Sequence, residues 1–176
     1  MRMSTQEIIA ELHKLSRPDL ERVDARLHEL LFSNGQATRG AVLSQAQRIS
    51  PKFAGRIEQL YNLENNWDGE GASAIRPEIV ANAVQLVDFL KARVEGFSEP
   101  FAAPTFDGFL QLDWTNKQRS LEVQLTDTGL DVVGTDNAEG GRKYFNSEVS
   151  GNDGTFILPF YNWFARSDAL WPSASR

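Results

Sequence analysis

Between residues 65 and 72 the chain reads Asn-Asn-Trp-Asp-Gly-Glu-Gly-Ala, which sets Asn66, Asp68 and Glu70 at alternate positions of a short glycine-rich stretch. Oxygen-bearing side chains at positions 1, 3 and 5, with a glycine at position 6, are the opening of a calcium loop of the EF-hand type. Counted from Asn66, that glycine is Gly71. The count then fails. Position 1 is Asn rather than Asp, position 8 is Ser73 rather than an aliphatic residue, and position 12 is Pro77. The bidentate glutamate is missing, with Glu78 one place late. The preferred reading is a structural turn built from Asn66, Trp67, Asp68, Gly69 and Gly71. In it Asn66 and Asp68 bond local amides, and Trp67 pins the loop to the core. A metal-dependent or small-molecule-binding domain centred on Asp68 and Glu70 is the alternative.

Other reactive groups are few. The two histidines, His13 and His28, lack the His-x-x-x-His and His-Glu-x-x-His spacings of helical zinc sites. Both read as helix-face residues, and no metal site is assigned. The absence of cysteine excludes disulfides, thiolate chemistry and Cys-ligated zinc, and fits a cytoplasmic setting. There is no Gly-x-Ser-x-Gly elbow. Gly69-Glu70-Gly71 is a Gly-x-Gly without the rest of a dinucleotide fingerprint, and it follows a helical pattern rather than a strand. Carboxylate pairs such as Asp68 with Glu70, or Asp107 with Asp113, arise by chance among 24 acidic residues. The chain is therefore expected to be non-enzymatic and to need no cofactor.

Charge narrows the partner. The net charge is −6 over 176 residues. Only the stretch 36–61 is basic, through Arg39, Arg48, Lys52 and Arg56. That is too little for the basic face of a nucleic-acid binder, so no direct nucleic-acid contact is expected. An acidic surface suits a basic protein partner or plain solubility. No apolar run approaches the ~20 residues needed to span a bilayer, so no membrane contact is expected. Met1 to Glu7 carries no long apolar core, and no secretion signal is expected.

The elements that would position the Trp67 turn follow from periodicity. Ser4 and Glu7 form a capping box ahead of Ile8, Ile9, Leu12 and Leu15. Ser16 can cap a second helix, with Pro18 in its first turn and Asp19 at the positive end of its dipole. Leu20, Val23, Leu27, Leu30 and Leu31 then share a face, and Gly35 stops the pattern. Residues 1–35 thus read as a helical hairpin whose thin apolar stripe is too small to make a domain alone. Residues 36–50 read as a linker, although Ala41 to Arg48 could form a short helix. Residues 51–176 read as one α+β domain.

Within it, Ser50-Pro51 opens a helix carrying Phe53, Ile57, Leu60 and Tyr61, and Pro77 opens the longest helix, stopped by Gly96. Phe97 to Pro104 reads as an extended connector. Asp107-Gly108 signals a hairpin, and Leu121, Val123 and Leu125 alternate with Glu122 and Gln124 as in a half-buried strand. Thr128-Gly129 turns the chain into Leu130, Val132 and Val133. Residues 134–143 read as a polar loop, and Tyr144 to Val149 as an edge strand. Phe160, Trp163 and Phe164 share the face of a short terminal helix capped by Thr155. The fold class is α+β: N-terminal helices, then a small antiparallel meander of three to five strands, then a C-terminal helix. Trp67, Leu86, Leu90, Trp114, Val123, Phe160 and Trp163 are the expected core.

Two stretches carry a resemblance. Glu7 to Val23, with its "EIIxELxKLSxxxLxxV" pattern, resembles the helical segment of small bacterial antitoxins of toxin–antitoxin pairs. The resemblance covers about a sixth of the chain. It implies a partner-docking stripe of Leu12, Leu15, Leu20, Val23 and Leu27. Those antitoxins are much shorter and often carry a DNA-binding element, which is not evident here. Asn66 to Ala72, Asp107-Gly108 and Leu112-x-Trp114 are similar to uncharacterised bacterial proteins with an "NWDGxGA" turn, a helix and a small sheet, a likeness that brings no activity with it. The expectation is an antitoxin-like protein-binding module of a bacterial conflict system, whose partner is a toxin or a defence complex. A phage or plasmid inhibitor of a nucleic-acid-processing defence complex, acting through acidic residues, is the alternative. A homodimer would also cover the stripe.

Overall fold

The computed structural model describes residues 11, 14–16, 19, 23, 38–137, 143–150 and 154–166. The chain divides into two compact units, Met1–Gly35 and Gln36–Arg176. In the first, Glu11, Asp19 and Val23 are helical. Ser16 acts as the expected cap: its Oγ accepts from the Asp19 amide at 3.4 Å and donates to Asp19 Oδ2 at 2.6 Å. Lys14 pairs with Glu11 at 2.6 Å. The Ser4–Glu7 capping box, His13 and His28 lie outside the described residues.

The second unit begins with two helices joined by one residue. Helix α1, Arg39–Ile49, starts at Thr38, whose Oγ1 accepts from the Ala41 amide. Helix α2, Pro51–Tyr61, starts at Ser50, whose Oγ accepts from the Phe53 amide at 2.9 Å. Ser50 serves both ends, since its extended backbone also donates to the Ala46 carbonyl and closes α1. The segment read as a linker is therefore mostly helix. Val42, Ala46 and Ile49 recur at helical spacing and are buried, which is enough to dock α1 although glycine, serine and glutamine dilute its apolar signal.

Helix α3, Pro77–Arg93, is the central helix. Nine of its residues are buried, spread around much of its circumference, because it packs on α1 and α2 as well as on strands and the 3-10 turn introduced below. Its C-terminal Lys91 donates to the last carbonyls of α1, at Arg48 and Ile49.

A five-stranded antiparallel sheet follows in the order of the chain: β1 Phe101–Pro104, β2 Leu110–Thr115, β3 Arg119–Leu125, β4 Gly129–Asp136 and β5 Lys143–Ser150. Register puts Leu110 opposite Leu125, Leu112 opposite Val123 and Trp114 opposite Leu121. These fill the buried face, and Gln111, Asp113, Glu122 and Gln124 occupy the other. The connector read for Phe97 to Pro104 thus ends in a strand, too short and too rich in alanine and proline to show alternation. Gly134, read as part of a loop, lies inside β4 opposite Phe145. A side chain there would collide with the Phe145 ring, 2.1 Å from an added Cβ.

A 3-10 turn, Gly154–Ile157, leads into helix α4, Leu158–Ala165. No side chain caps α4: Ile157 holds the cap position that the sequence assigns to Thr155. Its Phe160 and Trp163 meet Phe145 at 5.2 and 5.0 Å between ring centroids. Arg119, buried and paired with Asp136 at 3.0 Å, donates to the carbonyls of Trp163 and Arg166 at the end of α4. Leu86, Leu90, Trp114, Val123, Phe160 and Trp163 are buried, but Trp67 is not. Among the described residues, no helix is long and apolar enough to cross a membrane.

Candidate functional site

The loop that links α2 to α3 is closed by its own polar atoms. Asn65 Oδ1 accepts from the Ala74 amide at 2.9 Å, and Asn66 Oδ1 from the Gly71 amide at 2.8 Å. Asp68 Oδ1 accepts from the amides of Glu70 at 2.8 Å and Ala72 at 3.1 Å. The Asn66 amide donates to the Ala72 carbonyl at 2.6 Å. Such density of bonds needs left-handed backbone at Asn66 (φ 66°), Gly69 (79°) and Gly71 (100°). Glycine takes that conformation freely, and Asn is among the few other residues that visit it. The loop is a self-contained clasp.

The clasp disposes of its acidic groups in a definite way. Hydrogen bonds from the Glu70 amide first, then from the Ala72 amide, hold the Asp68 carboxyl below its ordinary value, so it stays charged into the acid range. The oxygens of Asn66 and Asp68 that a calcium loop would turn toward a cation instead accept backbone N–H groups. Among the described residues no cluster of three or more His, Asp or Glu is arranged to hold a metal ion.

Trp67 corrects an expectation. It is 36 % exposed, and its indole N–H donates to the Ser73 carbonyl at 3.1 Å inside the same loop. Ala72, by contrast, is fully buried. Asn66, Trp67, Asp68, Gly69 and Gly71 are thus brought together as one turn, with the indole on the outside.

A second loop supports the first. Thr105 to Phe109 joins β1 to β2, and the Ser73 amide donates to the Phe106 carbonyl at 2.9 Å. Gly108 (φ 78°) lies so close that an added Cβ would stand 2.8 Å from the Ala74 carbonyl oxygen. Arg76 forms an ion pair with Asp127 and lies 5.9 Å from the Phe109 ring centre. Phe106 itself is 56 % exposed.

A further groove, of about 730 Å³, runs between α2 and the edge strand β1. Lys52, Arg56, Gln59, Phe101 and Asp113 line it. Arg56 Nε donates to the Ala102 carbonyl at 2.6 Å, and its guanidinium covers the Phe101 ring at 5.0 Å. Glu99 accepts from the Ser50 hydroxyl at the start of α2, so a carboxylate of the chain itself already sits at that helix terminus.

Of the hairpin stripe, Leu15 is 37 % exposed and Val23 is half-buried. Leu12, Leu20 and Leu27 lie outside the described residues. No family model, curated protein or solved structure matches this chain.

Proposed function

We propose that this chain is a non-enzymatic protein-binding module, an antitoxin-like neutralising protein of a bacterial conflict system, which docks its partner on Leu12, Leu15, Leu20, Val23 and Leu27. The reading rests on one observation. Leu15 of the stripe is 37 % exposed, and an apolar stripe on a helix face suits a partner that lays its own apolar surface along it.

The test is capture of the partner from bacterial lysate on the tagged chain, at low and moderate salt, followed by the Leu20→Asp, Leu27→Asp double variant. The expected outcome is one stoichiometric protein, bound at least about tenfold more weakly by the double variant, as loss of an anchoring apolar pair requires. Circular dichroism checks that the variant is folded. Unchanged binding by a folded variant would sink the reading. A captured nucleic-acid-processing complex, released by added DNA, would instead favour the inhibitor that acts through acidic residues.

A further inference from the structure

The clasp leaves two large rings partly exposed on adjoining loops. Trp67 and Phe106 are each exposed by more than a third. The Ser73 backbone joins them, taking the Trp67 indole N–H on its carbonyl and donating its own N–H to the Phe106 carbonyl. Exposed tryptophan on a fixed loop is unusual, because the same ring would gain more by burial. The same two loops carry Glu64, Asp68, Glu70 and Asp107, all exposed. Among the described residues none of the four is in an ion pair. The nearby cation of the loop, Arg76, is already matched by Asp127.

We infer that the Trp67 loop and the Phe106 hairpin tip form a docking face for a basic protein segment that presents arginine side chains. Charge complementarity selects a cationic partner, since the two loops that carry the rings also carry four exposed carboxylates with no cationic partner among the described residues. Ring chemistry selects arginine over lysine. A planar guanidinium stacks on an indole while its edge donates to carboxylates, whereas an ammonium is a compact point charge that is more strongly hydrated. The clasp supplies the third requirement. Its hydrogen bonds fix the loop before any partner arrives, so little loop entropy is lost on binding. The inference rests on the protein-binding reading and concerns residues other than those of the hairpin stripe. Substitutions at Leu20 and Leu27 test that stripe, and substitutions at Trp67 and Phe106 test this face.

The experiment uses the full ¹⁵N-labelled chain and three probes: an arginine-rich peptide and its lysine and glutamate counterparts of equal length. The expected result is that the arginine peptide shifts the Trp67 indole resonance and the amides of Asn66 to Ala72 and of Asp107. The lysine peptide binds more weakly and the glutamate peptide not at all. Trp67→Ala and Phe106→Ala, which both leave the net charge at −6, each weaken binding about tenfold, the scale of a central aromatic anchor. Phe106→Ala removes a solvent-exposed ring at a hairpin tip, so it stays informative if the Trp67 variant misfolds. Equal affinity of the aromatic variants and the parent would mean general charge attraction and overturn the proposal. So would shifts confined to other acidic regions, no shift with the arginine peptide, or self-association of the parent that Trp67→Ala abolishes, which would make a second copy the occupant.

Discussion

The Asp68 carboxylate holds the clasp through one oxygen that takes two amides, and its acidity follows from that geometry. Both bonds favour the charged form, so the folded-state pKa lies below the ordinary value of 3.8. A depressed folded pKa contributes stability that is present above the unfolded pKa and is lost as pH falls through the folded one. The clasp should therefore be intact at neutral pH and open only below the normal carboxylate range. Asp68→Asn keeps the shape but weakens the acceptor. It should bring faster amide exchange at Glu70 and Ala72 at neutral pH, little change in α3, and loss of the acid-induced opening. An unchanged acid transition in the variant would show that another group controls the loop. Asn66, Asp68, Gly69 and Gly71 were legible as a turn from residue type alone, because left-handed backbone and short polar side chains leave a compositional mark. The exposure of Trp67 was not legible, since aromatic character signals burial and nothing in the sequence says that the indole N–H finds its acceptor six residues on, within its own loop.

Elements show the same division between local and distant causes. Strand β3 was legible because Leu121, Val123 and Leu125 alternate with polar residues and the sheet has one wet face. Helix α1 and strand β1 were obscured because each is held by partners far along the chain. Lys91 binds the end of α1, and Arg56 binds the Ala102 carbonyl of β1. The Arg56 contact has a consequence for the edge of the sheet. An open edge strand invites pairing with another chain, and proteins blunt it with charge or with proline. Here Pro104 lies in β1 and Arg56 occupies the Ala102 carbonyl. Arg56→Ala should cost about 1 kcal/mol from the lost hydrogen bond and free that carbonyl. Sedimentation should then show concentration-dependent association of the variant and a monomeric Arg56→Lys control if lysine still reaches the carbonyl. A variant that associates no more than the parent would mean that the short strand and its proline protect the edge without Arg56.

At the scale of the whole molecule, the two units have different physical needs. The unit Gln36–Arg176 brings together five strands, three well-filled helices and a terminal helix that Arg119 and Asn116 tie to the sheet through its last carbonyls. Trp114 and Tyr161 add a second tie, meeting edge to face at 5.4 Å and both bonding the Ser98 backbone. Chain-distant contacts of this kind were not legible in the sequence, although the order of helices, meander and last helix was. They make the α+β unit a compact, cooperative body. A chain that starts at Gln36 should therefore fold, with a melting temperature within about 4 °C of the full chain, corresponding to less than roughly 1 kcal/mol for a domain of this size. It should retain the Trp67 face and its affinity for the arginine peptide, while losing the partner that docks on the hairpin. Differential scanning calorimetry and the same peptide titration check both halves. A large drop in melting temperature would show that the hairpin stripe is an internal packing surface of this chain, and the partner-docking reading of Leu12 to Leu27 would fall with it.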